Sequence, residues 1–399
     1  MVTPCWFEYE TGGTETYVKE FFLHCRSHFE EIHFVVPNPN SSRVKVEQKE
    51  NIYVHKVPFL LYEVYKKNLS GRSRKLYEYL DKLVKEHKID LFETESLAPK
   101  LAYFFSVNMV SIKYKIPLVE RVHTFPKKSL HIETYKEMDF SKILCISKSV
   151  AETLFNEGVS AKKILTIYPS VDTSKFFPSS DNLREKLGYK KSDFVILHAS
   201  RIATQLAQEQ STLEAKGIIT ALKALSIVLE NNPDAKLLIA AAKPNEKYQK
   251  AFDKALKEIN HYCEIYEISD KVKVESFDFE EMPKVYNTAD TFILISEEET
   301  FGLVYAEAMA CEKPVIGSSV TGIPEVITNS EEGYLVEPNN PVELAKRLTW
   351  LIQDPEKMKI FGTQGRQRVI LKFEINKIME ELANAYKTIV KEHKTLLKN

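Results

Sequence analysis

Two carboxylates separated by seven residues, Glu299 and Glu307, bracket the run Glu299-Thr-Phe-Gly-Leu-Val-Tyr-Ala-Glu307. Just before them, Thr291 to Ile295 is a short, β-rich apolar run ending at polar Ser296 and Glu297, the pattern of a fully buried parallel strand. Residues Leu303 to Cys311 predict a helix, which Lys313-Pro314 ends. Strand, acidic loop, glycine and helix in that order aim free backbone N–H groups and a positive dipole end beyond the strand's carboxyl end. A phosphate is the usual occupant of such a place. Glu307 lies in Ala306-Glu-Ala-Met-Ala310, a stretch otherwise suited to burial. An unpaired carboxylate there would be costly, so it requires a partner, and sugar or ribose hydroxyls would serve.

The wider stretch from Ala289 to Glu325 closely resembles the signature of the retaining glycosyltransferases of family 4. There the same glutamate pair is followed by Lys-Pro-Val and Gly-Ile-Pro-Glu, which stand here as Lys313-Pro-Val315 and Gly322-Ile-Pro-Glu325. The resemblance implies a reaction in which a sugar leaves a nucleotide diphosphate for a hydroxyl acceptor with its configuration retained. Departure of the diphosphate is the difficult event, and fixed positive charge must meet it. Arg201, in His198-Ala-Ser-Arg, and Lys216, in Lys216-Gly217, match the family's two diphosphate-gripping cations. Glu299 matches the residue that holds the transferred sugar, and Glu307 the one that accepts from ribose hydroxyls. The backbone at Phe301, Gly302 and Leu303 would face the phosphates. In the first half, Gly13 of Gly12-Gly13 matches the glycine loop beside donor and acceptor, and His123 the histidine that touches the donor sugar.

Three departures accompany the match. Fourteen residues, Ile202 to Ala215, separate the two cations where the family has a shorter loop. Ala240-Ala-Ala242 replaces a Gly-x-Gly, and Pro169-Ser170 replaces the Asn-Gly expected before Val171-Asp172.

These groups need a scaffold, and apolar runs alternate with helical patterns almost throughout, as in βαβ units with a parallel sheet. The first half reads as strands at 32–36, 52–56, 89–92, 118–122, 142–146 and 165–167, with helices at 14–28, 74–87, 100–114 and 149–157 between them. The second half starts afresh with strands at 194–198, 235–239, 272–274, 292–295, 315–317 and 333–336. Its helices fall at 217–231, 247–262, 282–288, 303–311 and 341–353. At 399 residues the chain calls for two domains. The expected fold is α/β: two doubly wound, Rossmann-like parallel-sheet domains facing across a cleft, the GT-B architecture that the resemblance implies. The expected boundaries are 1–178 on the acceptor side and 179–374 for the nucleotide sugar, with 375–399 packing back on the first domain.

Composition excludes several other classes. A formal net charge of −1 provides no basic field for nucleic acid. The five cysteines are scattered without a C-x-x-C pair, which argues against a disulfide framework or zinc site and fits a reducing cytoplasm. No Asp-x-Asp is present to hold a divalent cation on a diphosphate, so neither metal nor cofactor is expected, only the donor itself, UDP- or GDP-linked. No apolar run approaches 18 residues and no signal-peptide pattern opens the chain. A sugar or lipid-linked acceptor is expected, and Phe59-Leu-Leu-Tyr62 with Lys66, Lys67, Arg72, Arg74 and Lys75 is a candidate for peripheral contact with an inner membrane face. The opening Met1-Val-Thr-Pro4 leaves almost no first strand before the glycine loop, so that strand is very short or the start lies a few codons late. Two rivals stand beside the transferase: a sugar-nucleotide epimerase on the same scaffold and a catalytically silent binding protein. A nicotinamide-dependent oxidoreductase lacks its G-x-G-x-x-G.

Overall fold

A computed structural model describes residues 1–8, 13–60, 69–95, 101–126, 129–202, 212–244 and 248–398. The chain partitions into one unit of residues 1–170 with 375–399 and a second of residues 171–374. Residues 171–178, expected in the first domain, bond within the second unit: the Val171 N–H donates to Phe373 O at 2.8 Å, and Asn287 Nδ2 donates to Phe177 O at 2.9 Å.

The first unit runs α1 (Gly13–His24), β1 (Ile32–Pro37), β2 (Lys45–Lys49), β3 (Ile52–Val57), α2 (Leu69–Glu86), β4 (Phe92–Glu95), α3 (Leu101–Tyr114), β5 (Leu118–Val122), α4 (Ser129–Glu137), β6 (Lys142–Cys145), α5 (Lys148–Asn156) and β7 (Ile164–Thr166). Strands β1-β3-β2 form one sheet and β4-β5-β6-β7 another. Val2 bridges both Val35 and Thr94 in parallel fashion, so one residue joins the two sheets where a first strand would lie.

Two differences from expectation have plain causes. Strand β2 was not foreseen because its alternation Lys45-Val-Glu-Gln-Lys49 carries almost no apolar signal. It is an exposed antiparallel edge, and its charges suit an edge. Strand β4 falls at 92–95 rather than 89–92, so the buried strand carries Glu93 and Glu95. Arg121 on β5 neutralises them, with Nε 3.1 Å from Glu93 and 3.2 Å from Glu95. Burial of carboxylates is tolerated only with such pairing. Of the apolar part of the membrane candidate, Phe59 and Leu60 are buried, and residues 61–68 lie outside the described residues.

The second unit runs β8 (Phe194–Ser200), α6 (Thr212–Ala215), α7 (Ile218–Leu229), β9 (Ala235–Ala242), α8 (Gln249–Ile265), β10 (Val272–Phe277), α9 (Met282–Thr288), β11 (Thr291–Leu294), α10 (Leu303–Ala310), β12 (Val315–Ser318), α11 (Ile323–Val326), β13 (Gly333–Val336), α12 (Pro341–Gln353) and α13 (Pro355–Lys372). Its six strands are all parallel, in the order β10-β9-β8-β11-β12-β13. The order reverses between β8 and β11, and in open α/β sheets ligands bind outside the carboxyl ends at such a switch point. Helix α13 escaped the sequence reading because Gly362 and Gly365 dilute its pattern, yet it packs on α10.

The last helix, α14 (Ile375–Leu396), returns to the first unit. Its Ile375, Ile378, Met379, Leu382, Tyr386 and Ile389 share a core with Trp6, Val18, Phe21 and Phe34. Leu382 is fully buried there. Leu382→Ala should cost about 2–5 kcal/mol. In a Trp350→Phe background, where Trp6 alone reports by fluorescence, its urea midpoint should fall clearly below that of the parent.

Candidate active site

Everything at the switch point starts from close backbone contact. Gly217 has φ +70°, and a Cβ there would lie 2.2 Å from the Ile295 carbonyl oxygen, so only glycine fits against the end of β11. The Glu297 N–H donates to Ala215 O at 3.1 Å. From the other neighbouring strand, His198 Nε2 donates to Lys216 O at 2.9 Å. Lys216 is thus fixed at the carboxyl ends of β8 and β11, despite the long insert that precedes it. Residues 203–211 of that insert lie outside the described residues. Arg201 follows β8 directly and is exposed; no ion pair engages it among the described residues.

Glu299 is held through its backbone. Its N–H donates to Thr321 Oγ1 at 3.0 Å, and its carbonyl accepts from Thr321 Oγ1 at 2.7 Å and from the Gly322 N–H at 2.9 Å. The Gly-Ile-Pro-Glu segment therefore positions the acidic loop. With its main chain fixed, the Glu299 carboxylate meets Lys216: Nζ to Oε2 is 3.1 Å, with both side chains partly open to solvent. Gly302 follows with φ +93° as the N-cap of α10, and a Cβ there would sit 2.6 Å from the Tyr305 ring. No side chain caps this helix; the Tyr305 N–H donates back to Gly302 O at 3.0 Å, and the N–H groups of Leu303 and Val304 come too early in the helix for an intrahelical acceptor. Tyr305 donates its hydroxyl to Leu294 O, tying α10 to β11.

Two of the expected donor residues are buried. Phe301 is buried, its ring edge-on to Phe373 at 5.3 Å, because an apolar ring is better placed in the core; only its backbone can face a ligand. Glu307 is also buried, and its Oε2 accepts from the Tyr286 hydroxyl at 2.7 Å, so a protein group supplies at least part of the pairing that burial demands. Burial, with the Glu307 charge beside it, pushes the Tyr286 hydroxyl well above its usual range, so it stays a donor. Next to the acidic loop, a concavity of about 340 Å³ is lined by Glu214, Ile219, Thr220, Lys223, Glu297, Asn339 and Pro341. There Asn339 Nδ2 donates to Glu297 Oε1 at 2.8 Å.

In the first unit, His123 follows β5 and lies buried, its Nε2 bonded to Glu95 Oε2 and its ring 5.3 Å from that of Tyr17. Burial, and then the Arg121 charge, lower its pKa to about 3. Burial, and then Glu93, raise Glu95 well above the carboxylate range, opposed by Arg121. Both effects favour a neutral His123 ring. Gly13 opens α1 with open space around it, and Gly12 lies outside the described residues.

Sequence reasoning missed His198, Tyr286, Tyr305 and Thr321. His198 had a signal: it is the one polar ring in the strand run Phe194-Val-Ile-Leu-His198. The others act through tertiary contacts that leave no spacing to read.

With this geometry in hand, comparison with known proteins places the chain. Residues 11–175 match Glycosyltransferase Family 4, and residues 179–368 match Glycosyl transferases group 1. A Bacillus anthracis relative, N-acetyl-alpha-D-glucosaminyl L-malate synthase, is 27% identical over 256 residues, covering 62% of this chain and 60% of that protein. The chain thus spans about 60% of the length of the first curated relatives it matches. Among solved structures, a glycosyltransferase from Rickettsia africae aligns over 98% of both chains with TM-score 0.79 and 19% identity. Anabaena Alr3699/HepE, in complex with UDP and glucose, aligns over 97% of this chain and 98% of its own with TM-score 0.75 and 17% identity. These neighbours share the GT-B fold.

Two outcomes follow from the packing at Lys216. Gly217→Ala should destabilise the second unit by at least 1–3 kcal/mol, roughly the cost of an unfavourable left-handed residue, and more from the collision with Ile295 O. Thermal unfolding followed at Trp350 checks this. Burial lowers the His198 pKa to about 4, and its Nδ1 is buried without a hydrogen-bond partner. The neutral ring's contribution to stability is therefore complete above about pH 6.5, the usual histidine value, and is lost as pH falls toward 4. Measured against wild type over that window, His198→Gln should show a shallower loss of stability.

Proposed function

The chain belongs to the family 4 glycosyltransferases, and from that premise we propose that it is a retaining, metal-independent hexosyltransferase acting from a nucleotide-diphosphate sugar onto a hydroxyl acceptor. The observation that carries this reading is the Lys216–Glu299 pair at the β8/β11 switch point, beside the uncapped start of α10. One side chain offers fixed positive charge for a diphosphate. The other, 3.1 Å away, offers an acceptor for sugar hydroxyls.

In this reading the donor's diphosphate lies against the amino end of α10, with Lys216 and Arg201 as its cations and Glu307 receiving ribose hydroxyls. Glu299 orients the transferred sugar, Gly13 gives backbone contact, and His123 contributes a neutral ring on the first unit's side. As the bond to the sugar breaks, negative charge grows on the leaving phosphate, and the cations stabilise that state more than the ground state. The acceptor enters on the same face, and its proton passes to the leaving phosphate oxygen. No separate base is then needed. The UDP in the Anabaena structure supports a UDP-linked donor over a GDP-linked one. The name of the Bacillus relative, a synthase of a glucosaminyl malate, supports a small hydroxyl-bearing acceptor over a lipid-linked one.

No helix among the described residues is long and apolar enough to cross a membrane. We assign the reaction to the cytoplasm, with Arg72, Arg74 and Lys75 on α2 as the remaining electrostatic element for a peripheral membrane contact. No specific observation favours the epimerase reading.

Calorimetry with UDP-, GDP- and ADP-sugars, followed by a transfer assay with excess chelator, tests the proposal. Lys216→Ala should weaken UDP binding about 10- to 150-fold, the range for a charge-assisted hydrogen bond of roughly 1.5–3 kcal/mol. Glu299→Gln should leave UDP binding within a few-fold of wild type and cut turnover at least a hundredfold. Wild-type transfer from Glu299→Ala would refute the assignment, and conversion of the donor sugar without acceptor would favour the epimerase.

A further inference from the structure

The first unit holds a second constellation at the amino end of β1. Glu31 immediately precedes β1, His33 is the second residue of β1, and His87 immediately follows α2. His33 Nε2 and His87 Nδ1 lie 3.2 and 3.0 Å from Glu31 Oε1, and all three ligand atoms fall within 4.8 Å of one another. In a tetrahedral zinc site with bonds of about 2.0–2.1 Å, ligand atoms lie roughly 3.3 Å apart. The spacing fits.

A second observation points to an absent ligand. His33 is 93% buried, and its Nε2 has no hydrogen-bond partner: the Glu31 oxygen is near but lies outside hydrogen-bond geometry. The other ring nitrogen is spoken for. His33 Nδ1 lies 2.8 Å from His55 Nε2, and His55 Nδ1 lies 2.7 Å from the Tyr79 hydroxyl. In the tautomer in which each imidazole donates along this chain toward Tyr79, the His33 Nε2 lone pair faces the same space as the Glu31 oxygen and is available to a cation. A chain of hydrogen bonds behind a ligating imidazole, fixing its tautomer, is the usual second layer of a metal site. Tyr53 stacks on the His33 ring at 4.7 Å and holds its plane. The carboxyl end of the 18-residue helix α2, where His87 lies, adds the negative end of a helix dipole.

We propose that Glu31, His33 and His87 bind a divalent transition-metal ion, zinc by the ligand set of two imidazoles and one carboxylate, which staples the end of α2 to the start of β1. The site lies at the amino ends of the strands, away from the carboxyl ends where sugar chemistry is expected, and its role is structural. It does not depend on the transferase reading. Pattern reading misses it because the three ligands are spread over 57 positions with no metal-site spacing.

The test uses full-length protein stripped with chelator and dialysed. Zn²⁺ alone, at concentrations well above the protein's, should raise its thermal midpoint by several degrees. Co²⁺ in place of Zn²⁺ should give the visible d–d absorption of a low-coordinate site. Both signals should vanish in His87→Ala and in Glu31→Gln, whose side chains are partly solvent-exposed, with the metal-free thermal midpoint of each variant measured to show that it folds. They should persist in His261→Ala, which removes an exposed histidine of the second unit. No midpoint shift and no Co²⁺ spectrum in the wild type would overturn the proposal, as would signals that survive His87→Ala.

Discussion

The second unit depends on one close approach. Its sheet order reverses between β8 and β11, and the chain segment entering α7 must cross the ends of both strands with almost no room. Gly217 makes that possible by presenting bare backbone to Ile295 O, while His198 and Glu297 hold the neighbouring peptide groups. Once the crossing is fixed, the Lys216 side chain reaches the acidic loop after β11, its Nζ 3.1 Å from Glu299 Oε2. The cation therefore depends on a glycine and a buried histidine that perform no chemistry.

The acidic loop is controlled by the same kind of economy. Glu299 carries its function on the side chain and its location on the backbone, where Thr321 and Gly322 satisfy both its N–H and its C=O. An ion pair with Lys216 in a partly wet site contributes modestly to stability. Its importance is positional. Two opposite charges are held 3.1 Å apart, close enough that a ligand bearing both a diphosphate and hydroxyls can engage both. Buried Glu307 follows a different rule: its desolvation is offset by Tyr286 within the protein, so it is built to hold one orientation.

The first unit relies more heavily on buried charge. Arg121, Glu93 and Glu95 occupy strand positions that apolar residues usually fill, with His123 just beyond β5, and each is tolerated because the others are present. Such a cluster fixes ring and guanidinium orientation at the carboxyl ends of β4 and β5. The Glu31, His33 and His87 group lies at the amino ends, and both groups hold buried polar atoms without a hydrogen-bond partner: His33 Nε2 in this one, Arg121 Nη1 and Nη2 in the other.

Much of this was legible in the sequence because periodicity and short motifs are local. The alternation of apolar runs and helical patterns determined two parallel-sheet units. The seven-residue glutamate spacing with Gly302 determined a strand-loop-helix site, and Lys216-Gly217 determined a cation at a helix start. What only the tertiary structure decided were the partners. Lys216 and Glu299 are 83 positions apart, Tyr286 and Glu307 are 21 apart, and Phe301 turns inward onto Phe373. The polar edge strand β2 and the charge-bearing β4 were also beyond pattern reading, since one is stabilised by pairing and the other by Arg121 from a neighbouring strand. Sequence spacing fixes which atoms are near along one element. The cost of burying a charge or a ring is settled only when distant elements pack, and that cost chose the final contacts.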